Sequence, residues 1–267
     1  MISFLRTYSG ERDDGVKEKK INPLYTKKWF GVILLILGIF GVLVILHRLA
    51  HYVYEYDPEF SPIDYGRFNI ISFFTVQSNI FVCFYLLTAA LAVLGNKRAG
   101  KIAFDPMLGA MVTTYIVVTG VVYCCGIPLG FTPPFKWDNP THAMSSFIQV
   151  YHHMIIPPLM LLLWFFPATN ERADYKKVWL FGIYPLVYSI FSIVRGAVSD
   201  PTFYPYPFYE PSFFWEMLFS DKAINLPQAY LLMLPILIVG ILIFIAIGAI
   251  LILIHNKLIK YRLPQEG

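Results

Sequence analysis

Six uncharged stretches divide this chain, and they limit its folding options more than anything else in it. They run at about 29–48, 69–94, 106–127, 145–167, 178–195 and 229–255, and none holds Asp, Glu, Lys or Arg in its interior; Arg48 and Arg195 stand at the ends. A bilayer core takes about 20 apolar residues of helix. In lipid, only helices and closed barrels satisfy their own backbone groups. Barrel strands alternate over about 10 residues, whereas these runs are longer and uniformly apolar. With only 14% charged residues, against about 25% in soluble domains, the chain cannot cover a water-facing surface. The reading is all-α: a polytopic membrane protein with six spanning helices in one domain, 29–255, flanked by tails at 1–28 and 256–267.

Lys and Arg set the orientation. With the N-terminus inside, 16 of the 21 cations fall on the inner side and five outside (Arg48, Arg67, Lys136, Arg195 and Lys222). Both termini are therefore expected in the cytoplasm. The net charge of +4 reflects this topology and gives no reason to expect nucleic acid as a partner. The first apolar run begins near Trp29 behind a charged tail and reads as a span, not a cleaved leader. Cys83, Cys124 and Cys125 all fall in spans, where three cysteines make no disulfide framework; the adjacent pair reads as small packing residues.

No span carries an internal carboxylate, a lysine or an arginine ladder, which argues against a proton-coupled pump or a voltage-gated channel. The polar residues gather in the outer half. The second span enters with Ser72-Phe73-Phe74-Thr75-Val76-Gln77-Ser78-Asn79, and the fourth with Gln149-Val150-Tyr151-His152-His153, followed by Pro157 and Pro158. Thr75, Ser78 and Asn79 share a helix face, as do Tyr184, Tyr188, Ser192 and Arg195 of the fifth span. His152 points about 100° away from His153 on a regular helix. Proline removes a bond to the carbonyl four residues earlier, so the carbonyls of His153 and Met154 are freed and a bend is expected at the histidines. Thr75, Gln77, Ser78 and Asn79 could simply bond between helices, at about 0.6 kcal/mol each. A histidine inside a span is costlier to keep, which makes His152 and His153 candidates for chemistry. The loop at about 196–228 holds eight aromatic residues between Phe203 and Trp215. It reads either as an interfacial aromatic belt or as a lid over a lipid-facing pocket.

Three motifs are shared with a known family: Phe-Phe-Thr-Val-Gln-Ser-Asn ending at Asn79, His-Met-Ile-Ile-Pro beginning at His153, and the fifth span from Tyr184-Pro185 through Arg195-Gly196 to Tyr204-Pro205-Tyr206-Pro207-Phe208. Together they resemble the androgen-induced membrane protein family, most closely its bacterial six-helix relatives, over roughly residues 70–210. The resemblance implies a bacterial plasma-membrane location. Animal members are membrane threonine hydrolases that cleave fatty acid esters of hydroxy fatty acids. By their pattern, a threonine after Phe-Leu is catalytic, which here corresponds to Thr75. Their catalytic histidine precedes a proline by five positions, which fits both His152 with Pro157 and His153 with Pro158; the bacterial spacing of four favours His153. Tyr206-Pro207-Phe208-Tyr209-Glu210 resembles the animal Tyr-Pro-Phe-Leu-Glu run. The animal proteins lack Gln-Ser-Asn after the threonine, and Arg195 has no counterpart in them.

A threonine hydroxyl needs a base to act as a nucleophile, and histidine suits the task. The expected chemistry is hydrolysis of a lipid-like ester by Thr75 with His153 or His152 as base. Gln77, Ser78, Asn79, Tyr188 and Arg195 are candidates for holding the substrate or its oxyanion, and Tyr188 or Gln149 for orienting the histidine. The bilayer and a lipid-like small molecule are the expected partners, and the scheme calls for no metal or cofactor. Two alternatives stand beside it. His47 and His51 have a ligand spacing that could bind metal with His142, His152 or His153. Thr113, Thr114, Tyr115, Thr119 and Tyr123 of the third span could line a transporter or channel.

Overall fold

The computed structural model describes residues 20–51, 66–129, 135–200, 202–219 and 223–262. Of the expected tails, residues 1–19 and 263–267 lie outside the described residues, as do 201 and 220–222 of the aromatic loop. The described chain folds into eight helices: α1 (Lys28–Ala50), α2 (Phe74–Val93), α3 (Lys97–Ala103), α4 (Pro106–Gly126), α5 (Pro140–Trp164), α6 (Tyr175–Val198), α7 (Pro211–Phe219) and α8 (Leu226–Arg262). Six of them, α1, α2, α4, α5, α6 and α8, are long and apolar enough to cross a membrane. The only β pairing among the described residues is a single bridge, Ile21 to Thr169.

Local chemistry moves several boundaries. Residues Arg67–Ser72 form a 3-10 segment and Phe73 is extended (φ −75°, ψ 133°), so α2 starts at Phe74 and not near 69. α5 starts five residues before the expected 145, because the Asn139 side chain accepts a hydrogen bond from the His142 N–H (2.9 Å) and Pro140 follows it, a favoured first-turn pairing. Asp105 caps α4 in the same way, at 2.8 Å from the Met107 nitrogen. α8 continues to Arg262, so residues 256–262 of the expected tail are helical. Asn256 in that extension donates to the Ala173 carbonyl (3.0 Å) and accepts from the Ala173 N–H (2.9 Å).

Successive spans run antiparallel. In α1, Gly38 approaches Leu87 of α2 and Gly41 approaches Cys83; a methyl on either would lie 2.8 Å from Leu87 or 2.6 Å from the Cys83 sulfur. Glycine lets the two backbones close to this distance, as at other small-residue helix seams in membranes. Farther around the bundle, Ser78 of α2 meets Thr119 of α4, Gly109 of α4 meets Trp164 of α5, and Tyr188 of α6 meets Phe74 of α2. The starts of α2, α5 and α8 therefore share one end of the bundle with the ends of α1, α4 and α6. The other end is tied by Asn22 to Pro167 and Ala168 and by His255 to the Glu171 carbonyl.

Large apolar side chains such as Phe84, Val121, Leu231 and Leu242 stand exposed around the bundle. A belt this extensive is the surface a bilayer covers, not one a soluble protein tolerates. Cys124 and Cys125 belong to it: both are exposed, which corrects their reading as packing residues. They fall at the end of α4, where neighbouring Val121 and Val122 also face outward; only Cys83 is buried.

Candidate functional site

The start of α2 has a problem that its own sequence does not solve. The first N–H groups of a helix have no partner within it, and the N-cap residue is Phe73, which has no side-chain acceptor. Away from water, each unmet group costs several kcal/mol. Two tyrosines from elsewhere in the chain supply the acceptors. The Tyr188 hydroxyl of α6 accepts from the Phe74 N–H (3.0 Å) and donates to the Ser72 carbonyl (2.8 Å). The Tyr206 hydroxyl, from the aromatic loop, accepts from the Thr75 N–H (3.3 Å).

Thr75 follows in this first turn, 8% exposed, and its Oγ1 has two partners. One is His153 Nε2 at 3.1 Å; the other is the Tyr206 hydroxyl at 3.3 Å. His153 is 4% exposed, and its Nδ1 lies 2.9 Å from the Gln149 carbonyl oxygen. A carbonyl can only accept, so Nδ1 carries the proton. Nε2 of the neutral ring is then left with its lone pair toward Thr75. The threonine donates to His153 and can accept from Tyr206. Burial raises the pKa of Tyr206, which keeps the phenol protonated and able to donate.

The histidine is held from three directions. The Gln149 backbone fixes one nitrogen, Tyr123 of α4 stacks on the ring (centroids 3.7 Å apart, planes 14°), and Thr75 takes the other nitrogen. Beneath it α5 widens into a π-helical turn over Tyr151–Ile155, which is where Pro157 and Pro158 were expected to disturb the helix. Gly120 of α4 fits against this turn: a methyl there would meet the His153 carbonyl oxygen at 2.8 Å and Pro157 at 2.7 Å.

The other residues singled out in the sequence are placed as follows. Ser78 donates to the Thr75 carbonyl (3.0 Å) and meets Thr119 (3.0 Å), and Asn79 donates to the same carbonyl (2.9 Å). Both brace the Thr75 backbone and neither touches its hydroxyl. Gln77 donates to the Ile71 carbonyl (2.9 Å) and accepts from Tyr184 (2.6 Å), joining α2 to its lead-in and to α6. Tyr188 caps α2. Arg195 stands over Phe203, 4.6 Å from the ring centre. His152 is fully buried with neither ring nitrogen hydrogen-bonded, so of the two histidines only His153 meets Thr75. The orienting role considered for the Gln149 side chain falls to its backbone carbonyl.

His47 and His51 stack on each other (4.2 Å), and His142 pairs with exposed Asp138 (2.7 Å), whose carboxyl it holds below the usual range. Among the described residues no three metal-ligating side chains converge. Of the third-span polar residues, Thr113, Thr114, Tyr115 and Thr119 are buried, and Thr119 bonds back to the Tyr115 carbonyl (2.9 Å).

Tyr123, which the sequence offered only as a pore-lining residue, stacks on His153 instead, and Tyr206, which the sequence offered only within a family motif, meets Thr75. Tyr206 was visible as part of the Tyr-Pro-Phe run, but nothing in its local pattern separates it from seven neighbouring aromatics. The loop packs onto the bundle: Tyr209 and Tyr206 lie with Phe74, Tyr115 and Tyr188, and Tyr209 bonds to Ser189 (3.1 Å).

A buried hydroxyl, a correctly tautomerised base and a phenol donor thus converge at one end of a six-helix membrane protein. Comparison with protein-family models, with curated proteins and with solved structures finds no match to the chain.

Proposed function

We propose that this protein is a membrane-embedded hydrolase of lipid-like esters, related to the androgen-induced membrane protein family, with Thr75 as nucleophile and His153 as base. The observation that carries the reading is the 3.1 Å contact between Thr75 Oγ1 and His153 Nε2, within the reach a nucleophile and base require. A threonine that serves only packing in a membrane helix can bond to the carbonyl one turn back, as Thr88 does to Phe84 (2.7 Å). Thr75, in the first turn, has no such carbonyl. Its hydroxyl is directed instead at an imidazole lone pair.

The reaction follows from these groups. His153 Nε2 takes the Thr75 proton as Oγ1 bonds to the ester carbonyl carbon. The carbonyl oxygen becomes an oxyanion, for which the Tyr206 hydroxyl provides a donor and the N-terminus of α2 a positive potential. Collapse breaks the ester C–O bond, and His153 returns the proton to the leaving alkoxide, releasing an alcohol. Water then attacks the acyl-threonine, giving a proton to His153 and its oxygen to the acyl carbon. His153 reprotonates Thr75 Oγ1 as the acid leaves.

The reading is tested with the purified protein in lipid nanodiscs and a series of nitrophenyl esters of increasing chain length. Release of nitrophenol that depends on both Thr75 and His153 is expected, with acyl-threonine trapped on acid quenching. Hydrolysis equal in Thr75→Ala and native protein would reject it.

A further inference from the structure

The end of the bundle opposite Thr75 holds a cavity that the proposed chemistry leaves unused. It measures about 30 Å³ and lies among α2, α4, α5 and α8. Two non-helical segments close over it. Residues 20–25 run beside 167–170, joined by the Ile21–Thr169 bridge and by bonds from the Asn22 N–H to the Ala168 carbonyl (2.9 Å) and from the Asn22 side chain to the Pro167 carbonyl (3.0 Å). Tyr25 and Ala168 from these segments line the cavity, and exposed Asp105 and Phe166 mark its mouth.

Two ring nitrogens in its lining residues have no partner. Trp164 and His255 stack (centroids 4.9 Å apart, planes 26°), and Trp164 Nε1 and His255 Nδ1 are both enclosed without a hydrogen bond. Their characters are opposite. An indole N–H can only donate. His255 Nε2 lies 2.9 Å from the Glu171 carbonyl oxygen, which can only accept, so Nε2 carries the proton and Nδ1 keeps its lone pair. Buried polar groups ordinarily find partners; here a donor and an acceptor of one ring stack have none.

An ion of either sign satisfies only half of this pair. An ammonium sets N–H against the Trp164 N–H, and a carboxylate sets lone pairs against His255 Nδ1. Among the described residues no Lys or Arg lines the cavity, and Asp105 already accepts from the Met107 and Leu108 N–H groups (2.8 and 3.0 Å). A hydroxyl satisfies both nitrogens, accepting from Trp164 and donating to His255. Water offers the same two bonds, but Phe104, Met160 and Leu163 add an apolar wall that favours carbon over water. One water needs about 10–15 Å³ of such space, so the cavity takes about two or three heavy atoms, the size of a hydroxymethyl group.

We propose that this cavity binds the primary hydroxyl group of an alcohol, either a free polyol or the hydroxyl head of a lipid. The hydroxymethyl group meets the Trp164 and His255 nitrogens, and the rest of the ligand lies at the mouth beside Asp105 and Phe166. Tyr25, Tyr85 and Thr113 also line the cavity and bring three more hydroxyls to it. Gly109 keeps the space open: a methyl there would lie 3.1 Å from the Tyr85 hydroxyl and 3.3 Å from the Trp164 ring. The site does not depend on the Thr75–His153 reading.

The test follows the Trp164 indole N–H signal by NMR in the full chain, carrying isotopically labelled tryptophan in zwitterionic nanodiscs and assigned with Trp164→Phe. Glycerol, dodecanol, ethylammonium and formate are titrated separately. A saturable downfield shift of this proton is expected with at least one of the two alcohols and with neither ion. His255→Phe keeps a ring and removes the acceptor, and should weaken alcohol binding about tenfold, the equivalent of about 1.4 kcal/mol. Gly109→Ala narrows the cavity, should also weaken binding severalfold, and supplies the reading if the histidine variant does not fold. Saturation by glycerol assigns the site to a free polyol and saturation by dodecanol alone to a lipid head; either supports the proposal. No saturable shift with either alcohol would leave water as the only occupant and overturns it. A larger response to ethylammonium or formate, or an affinity unchanged in both His255→Phe and Gly109→Ala, overturns it as well.

Discussion

The Thr75 hydroxyl sits between two groups of opposite hydrogen-bonding character. His153 Nε2 can only accept in the tautomer fixed by Gln149, and Tyr206 can donate. The arrangement ranks the side chains by consequence. Thr75→Ala and His153→Ala should each lower ester hydrolysis by on the order of 10⁴- to 10⁶-fold, the scale seen when one member of a nucleophile–base unit is removed. Tyr206→Phe keeps the ring and loses the donor, and should cost on the order of 10²-fold in kcat with a smaller change in KM; an unchanged kcat would remove Tyr206 from the chemistry. His152→Ala should leave the rate within a few-fold of native, since its ring meets neither Thr75 nor any other hydrogen-bond partner. The sequence made Thr75 and His153 legible because polar and titratable side chains are costly inside spans. Tyr206 was not legible: it reaches Thr75 across 131 residues, and tyrosine in an interfacial loop is ordinary. Ser78 and Asn79 were found by their shared face, but that spacing could not distinguish bracing the Thr75 backbone from facing its hydroxyl.

At the scale of elements, two helix irregularities build the site. The break before Phe74 puts Thr75 in a first turn, and the π-helical turn in α5 sets His153 against it. The prolines at 157 and 158 announced a disturbance at the histidines. The wider turn that results could not be derived from 3.6-residue geometry, and that is why the relative aim of His152 and His153 stayed open. Gly120 permits α4 to close on this turn. Gly120→Ala forces about 1–3 kcal/mol of overpacking against a carbonyl and a proline ring, neither of which can rotate away. Thermal unfolding in detergent should show a lowered Tm, together with activity lost beyond what stability explains. Tyr188→Phe strands the Phe74 N–H and should destabilise by about 1–3 kcal/mol; a Tm equal to native would show that another group caps α2.

For the whole molecule, six apolar runs sufficed to give the architecture, because lipid leaves the backbone no alternative to complete helices. Which spans would touch was less accessible: the α1–α2 seam depends on Gly38 and Gly41, which resemble any other glycines in an apolar run. An even number of crossings returns the chain to its starting side, and from the distribution of Lys and Arg we propose that this side is the cytoplasm. Fluorescent-protein fusions at either terminus should therefore fluoresce in cells, and alkaline phosphatase fused there should be inactive; active phosphatase at either end would reverse the orientation. The site would then lie in the outer half of the bilayer. Covalent capture tests the central claim most directly. The native protein in nanodiscs is treated with a lipophilic fluorophosphonate and the modified residue is located by mass spectrometry. The account predicts a single adduct on Thr75, absent from His153→Ala. A folded native protein that takes up no label, or one labelled elsewhere with Thr75 untouched, would contradict it.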